Sequence, residues 1–81
     1  MQYRRAYVGM VLKVTPDGKV CPLEVIWEDG KRYPVDSVKN VTPAAKTDVG
    51  GPGLQYTLVI KRQERFFYEN EGRWFTWLKT T

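Results

Sequence analysis

Residues 23–35 read LEVIWEDGKRYPV, and this stretch decides the fold class. Apolar residues recur at every second position on both sides of the turn sequence Glu28-Asp29-Gly30, which is the pattern of two half-buried strands joined by a hairpin. A three-residue loop that ends in glycine sets Val25 opposite Tyr33, whereas a two-residue loop would set Val25 opposite Pro34. Because a slip of one residue turns every side chain to the other face of the sheet, the sequence predicts the three-residue loop, with its glycine at positive φ.

The same two features, period-two alternation and short turn sequences, extend along most of the chain. Pro16-Asp17-Gly18 and Asn70-Glu71-Gly72 repeat the form of the first turn, so their glycines are also expected at positive φ. A further turn, without glycine, is predicted at Arg62-Gln63-Glu64. β-Branched and aromatic residues fill the alternating segments, as is typical of strands. The pattern predicts six strands, at about residues 4–14, 20–27, 31–41, 54–61, 65–69 and 73–79.

Two groups of three strands, each with one apolar face, favour a single all-β domain over residues 1–81. We expect about six antiparallel strands in a small SH3-like or partly open barrel, and a single curved antiparallel sheet is the alternative. Residues 42–53 contain two prolines and three glycines, and are predicted to form a flexible loop between the two groups. Residues 35–41 break the alternation, with apolar positions three apart, which predicts either a β-bulge or a single helical turn.

The composition limits the chemistry that the chain can perform. It has 81 residues, no histidine and one cysteine, Cys21. Disulfide frameworks, zinc sites and histidine-based catalysis are therefore excluded, and we expect neither an enzyme nor a cofactor. No apolar run approaches the roughly 20 residues of a membrane span, and a lone thiol fits a reducing compartment, so a cytoplasmic location without a membrane partner is expected. The net charge of +4 permits contact with nucleic acid or an acidic partner but requires neither.

The third glycine-containing hairpin carries the residues that point most directly to a binding function. With Asn70-Glu71-Gly72 as its loop, Tyr68 lies opposite Trp74, and Phe67 lies opposite Phe75. Tyr68 and Trp74 then face the core, and the two phenylalanines face the other way. This reverse face is either a second core, covered by the N-terminal strand or the loop, or an exposed patch for a partner. Its candidate partner-binding residues are Val59, Arg65, Phe67, Arg73, Phe75 and Trp77.

Four segments carry a resemblance: residues 22–30 (PLEVIWEDG), 33–36 (YPVD), 50–57 (GGPGLQYT) and 72–75 (GRWF). The chain resembles, over about residues 8–78, a family of short uncharacterised all-β bacterial proteins, mostly Gram-positive. The shared motifs are signatures of strands and turns. The resemblance implies a bacterial cytoplasmic protein. No activity is established for that family, so the resemblance assigns no functional residue.

Two functions are consistent with these features. A protein-interaction module would use the reverse face, or an unpaired strand edge, to bind a larger protein. A nucleic-acid-binding barrel would instead stack single-stranded DNA or RNA on aromatic residues, with Arg65 and Arg73 near the phosphates. The surplus apolar face favours a protein partner. A non-enzymatic protein-interaction module is therefore the first hypothesis, and a nucleic-acid-binding module is the alternative.

Overall fold

The computed structural model describes residues 2–44 and 53–80, and within these two ranges it contains strands and turns but no helix. Among these residues, accordingly, there is no helix long and apolar enough to cross a membrane. The all-β prediction is confirmed. The strands are β1 (Tyr3–Val14), β2 (Val20–Ile26), β3 (Arg32–Pro34), β4 (Ser37–Pro43), β5 (Leu54–Ile60), β6 (Gln63–Asn70) and β7 (Arg73–Lys79).

All seven strands belong to one antiparallel sheet, in the order β3-β2-β1-β7-β6-β5-β4. The two edge strands, β3 and β4, are consecutive in the chain and are joined by Val35 and Asp36 alone. Val35 donates its backbone N–H to the carbonyl of Leu23 in β2, and Asp36 donates to the carbonyl of Val59 in β5. So short a connection can join opposite edges only if the sheet curls. The sheet is therefore a curled half-barrel, which confirms the prediction of a small, partly open barrel.

The strand predicted over residues 31–41 is divided into β3 and β4, so the sheet has seven strands rather than six. Val35 bonds to one side of the half-barrel and Asp36 to the other, and one continuous strand cannot do both. Of the loop predicted over residues 42–53, residues 42 and 43 belong to β4, and residues 45–52 lie outside the described residues.

A β-bulge accounts for the broken alternation that follows this connection. Val38 lies opposite Leu58, but Asn40, not Lys39, lies opposite the next residue of β5, Thr57. Lys39 is therefore the extra residue of the bulge, which bends the edge strand and increases its twist. Of the two interpretations drawn from the sequence, the bulge is confirmed.

The first two hairpins have the predicted three-residue loops. In the hairpin between β2 and β3, Val25 lies opposite Tyr33. Gly18 and Gly30 both have a φ of 88°. Each of these glycines donates its N–H to the carbonyl of the residue three positions earlier, which closes the turn. In the hairpin between β1 and β2, Val14 lies opposite Val20, as a loop of residues 16–18 requires. Register and loop type are therefore confirmed in both hairpins.

The other two hairpins have two-residue loops, so the three-residue loops predicted there are wrong. Glu71 and Gly72 alone form the β6–β7 turn, with φ angles of 53° and 82°. Lys61 and Arg62 alone form the β5–β6 turn, with φ angles of 50° and 65°. Positive φ at both central residues defines a type I′ turn, whose twist matches that of the flanking strands. This match compensates for the steric cost of three non-glycine residues in the left-handed region.

The shorter β6–β7 turn shifts the register by one residue and reverses the faces of β6. Tyr68, rather than Phe67, lies opposite Phe75, and Phe67 lies opposite Tyr56 on the inner face. Phe67 is 5% exposed and belongs to the core, whereas Phe66 is 49% exposed on the outer face. The predicted pairing of Phe67 with Phe75 on the reverse face is therefore wrong.

The core lies on the inner, concave face of the curled sheet. The rings of Tyr56 and Trp74 are in contact there, with centroids 4.7 Å apart, and burial raises the pKa of the Tyr56 hydroxyl above its ordinary value. Its buried residues come from β2, β5, β6 and β7, and they are Val25, Tyr56, Leu58, Ile60, Phe67 and Trp74.

Candidate binding surfaces

Strands β6 and β7 separate after a short ladder of three residue pairs, which ends at Tyr68 and Phe75. Beyond that pair, residues 63–67 of β6 continue to pair with β5, and residues 76–79 of β7 continue to pair with β1. The hydroxyl of Thr76 donates to the carbonyl of Phe66 over 2.8 Å at the start of this gap, which we call the β6–β7 break. Because backbone groups alternate in direction along a strand, both segments direct some N–H and C=O groups toward the break.

A cleft of about 630 Å³ opens at the β6–β7 break. Its lining combines core side chains with half-buried aromatic and aliphatic ones. The volume lies within the range of roughly 300–1,000 Å³ that is typical of binding pockets. The apolar lining includes Val25, Trp27, Tyr33, Ile60, Phe67 and Leu78.

Charged side chains surround the mouth of this cleft. The ammonium nitrogen of Lys61 lies 5.1 Å from the centre of the Tyr33 ring, a cation–π contact that joins the β5–β6 turn to β3. Arg65 is exposed and donates to a glutamine side chain of the same strand over 2.7 Å. Glu64 forms an ion pair with Lys39 in the bulge of β4. At the mouth, Lys61 and Arg65 take part in no ion pair among the described residues, whereas Glu64 is already paired.

The outer face of β1, β7 and β6 carries a second cluster, made of arginine and aromatic side chains. Phe75 is at its centre and is only 1% exposed. Its ring centroid lies 5.5 Å from that of Tyr7, 5.4 Å from that of Tyr68 and 5.8 Å from that of Trp77. The guanidinium carbon of Arg5 lies 4.9 Å from the centre of the Phe75 ring. Phe75 is therefore enclosed by side chains of its own and neighbouring strands, although it points away from the core.

Arg5 and Arg73 converge on Tyr7 in this cluster. The guanidinium carbon of Arg73 lies 4.2 Å from the centre of the Tyr7 ring, and Arg5 donates a hydrogen bond of 3.4 Å to the Tyr7 hydroxyl. This hydrogen bond, with a smaller contribution from the charges of Arg73 and Arg5, lowers the pKa of Tyr7 below its ordinary value, although desolvation acts in the opposite direction. The ion pairs formed among the described residues include neither arginine.

The six residues that the sequence pattern places on one partner-binding face are divided among three locations. Phe67 is in the core. Arg65 lies opposite the buried Leu58 and borders the mouth of the cleft. The outer face holds Val59, Arg73, Phe75 and Trp77, of which the last three lie together on β7 and Val59 lies on β5. Trp77 also lines the cleft.

Several residues of these surfaces are missing from the set predicted by the sequence, among them Arg5, Tyr7 and Phe66 on the outer face. The alternation of β1 places Arg5 and Tyr7 on one face, so that signal is present in the sequence. It does not show that β1 pairs with β7, which brings Arg5 opposite Trp77. The sequence pattern places Phe66 in the core, because the loop that it predicts for the third glycine-containing hairpin is one residue too long.

The chain matches no protein-family model, curated protein or solved structure with which it was compared. The fold and its surfaces define a small all-β domain, a seven-stranded curled half-barrel with a break in its sheet. Over residues 2–44 and 53–80, no three histidine, cysteine, aspartate or glutamate side chains are grouped closely enough to hold a metal ion.

Proposed function

We propose that this domain is a non-enzymatic protein-interaction module of the bacterial cytoplasm, which binds an extended segment of a larger protein at the β6–β7 break. The observation that carries the proposal is the coincidence of two diverging strand edges with an apolar cleft of about 630 Å³. A peptide can hydrogen-bond to a strand edge through its main chain while alternate side chains enter a pocket. The resemblance to short bacterial proteins and the single cysteine support the cytoplasmic location.

The cleft also indicates which peptide it would bind. Its floor is made of core residues such as Val25 and Phe67, so one large apolar side chain is the group that fits it. Lys61 and Arg65 at the mouth would then attract an acidic residue beside that side chain. Glu64 opposes this attraction only weakly, because Lys39 is paired with it.

Photocrosslinking in living cells tests this proposal and identifies the partner in the same experiment. A benzophenone amino acid is placed at Gln63, an exposed residue of the cleft lining. The control places it at Thr42, an exposed residue of β4 that does not line the cleft. We expect one discrete crosslinked protein from position 63 and none from position 42, and mass spectrometry then identifies the crosslinked segment. The same products from both positions would contradict the proposal.

The crosslinked segment, made as a synthetic peptide, allows a quantitative test. Arg65→Glu reverses a charge at the mouth and should weaken peptide binding about tenfold, because a close charge pair becomes a repulsion. Lys31→Glu makes the same charge change at the exposed turn between β2 and β3 and should leave binding within about twofold. Equal weakening by both variants would indicate general electrostatic attraction and would contradict recognition at the cleft.

A further inference from the structure

The outer face presents aromatic rings to solvent on two strands that flank β7. Tyr3 and Tyr7 on β1 are 58% and 40% exposed, and Phe66 on β6 is 49% exposed. Tyr7 is supported from below by its contact with Phe75, whose centroid lies 5.5 Å away. The rings therefore stand on a rigid sheet, where exposed ring surfaces can stack on planar groups.

Positive charge is interleaved with these rings. Arg5, opposite Trp77, and Lys79, opposite Tyr3, lie in consecutive outward-facing rows of the β1–β7 ladder. Arg73 lies over the ring of Tyr7, so cations lie on both sides of that ring along the strand direction.

A depression of about 110 Å³ lies between the two arginines. Its lining includes both guanidinium-bearing side chains, Tyr7 and one acidic residue, Glu71 at the tip of the β6–β7 turn. Glu71 is not within ion-pair distance of either arginine, since neither takes part in the ion pairs of the described residues. The depression is therefore suited to a small anionic group with several oxygen acceptors.

We infer that this outer arginine–aromatic surface (Tyr3, Arg5, Tyr7, Phe66, Arg73 and Lys79) binds single-stranded nucleic acid. A single strand repeats the two groups that the surface complements, namely an anionic phosphate and a planar base with an accessible face. Arg5 and Arg73 bind a phosphate, and the exposed ring of Phe66 stacks on a base. Tyr7, whose ring lies between Phe75 and Arg73, positions the Arg73 guanidinium. A duplex fits less well because its base faces are covered by stacking on one another. This function goes beyond the protein segment proposed for the cleft and does not depend on it, although Phe66 belongs to both surfaces because it also lines the cleft.

Fluorescence anisotropy with a labelled oligothymidylate of about 12 nucleotides tests the inference. We expect binding that weakens steeply as salt is raised from about 50 to 200 mM, because phosphate contacts release counterions. Arg5→Gln and Arg73→Gln should each reduce the slope of log K against log salt by about 0.7. Phe66→Ala should weaken binding about tenfold through loss of one stacked base. Glu71→Gln removes the one acidic residue of the depression and should tighten binding.

The controls separate this inference from unspecific attraction between charges. Lys31→Gln removes one positive charge at the exposed turn between β2 and β3, and should leave the affinity within about twofold. Thermal unfolding of each variant establishes that it is folded under the conditions of the titration. Absence of binding at about 50 mM salt overturns the inference. Competition by polyglutamate as strong as by unlabelled oligothymidylate, or unchanged affinity of Phe66→Ala, also overturns it, because the surface would then bind polyanions such as acidic proteins.

Discussion

Truncation of Phe67 tests the register of β6 in the sheet, on which both the cleft and the outer arginine–aromatic surface depend. Phe67 is 5% exposed and packs in the core opposite Tyr56. Replacing it with alanine removes a buried ring and leaves a cavity among rigid neighbours, which costs about 3–5 kcal/mol of unfolding free energy. Phe66, the adjacent residue, is 49% exposed on the outer face. Its truncation removes a ring that is already half in water and creates no enclosed cavity, so Phe66→Ala should cost about 1 kcal/mol.

Guanidinium denaturation, followed by tryptophan fluorescence and by circular dichroism, measures both differences. Small domains have stabilities of about 5–15 kcal/mol, so the loss in Phe67→Ala is a large fraction of the total. Phe67→Leu retains much of the volume and should cost about 1–2 kcal/mol, which keeps the comparison measurable if the alanine variant does not fold. The slope of unfolding free energy against guanidinium concentration should be the same in all variants if the denatured state is unaffected.

The opposite order of the two effects would refute the reasoning. If Phe66→Ala were costly and Phe67→Ala nearly neutral, Phe66 would be the inward residue. The β6–β7 loop would then have the three residues Asn70-Glu71-Gly72, and the assignments of the cleft and of the outer surface would both be wrong.

Three further predictions concern single turns and one ion pair. Gly30→Ala should lower the unfolding free energy, measured by chemical denaturation, by about 1 kcal/mol. The φ of Gly30 is 88°, and an added Cβ would contact nothing within 4 Å, so backbone strain is the only cost. An unchanged unfolding free energy would contradict the turn geometry. Arg62→Gly should raise the unfolding free energy by about 1 kcal/mol, since it relieves a φ of 65°; a destabilised variant would show that the Arg62 side chain has a structural role. Glu28 accepts two hydrogen bonds from Arg4, each 3.1 Å long, and these lower the pKa of Glu28 below its ordinary value. The stabilisation from this ion pair is present above the unfolded-state pKa of Glu28 and is lost as the pH falls through its lower folded-state pKa. Titration of the Glu28 carboxyl by NMR should show the lowered pKa, and Arg4→Gln should return it toward the ordinary value.

The apolar pattern distinguishes the two registers at one hairpin but not at another, for a physical reason. At the β2–β3 turn, one register pairs Val25 with Tyr33 and the other pairs it with a proline, so the pattern favours the first. In β6, three aromatic residues are consecutive, at residues 66–68. Either register then places an aromatic side chain on each face, and the alternation alone does not separate the two. The register of β6 is determined by the packing of Phe67 into the core and by the type I′ turns at both ends of the strand.

Local alternation and turn residues determined that the chain is all-β, where most strands lie, and that Gly18, Gly30 and Gly72 have positive φ. These properties depend on residues close together in the chain, so a local pattern is sufficient to predict them. The order of the strands, the curl that brings β3 near β4, and the β6–β7 break depend on pairings between distant segments. The pairing of β1 with β7 places Arg5 beside Trp77, and the break exposes the cleft. Only the tertiary structure decided these features, because each strand has the same kind of edge and can pair with several others until the side chains of the core select one arrangement.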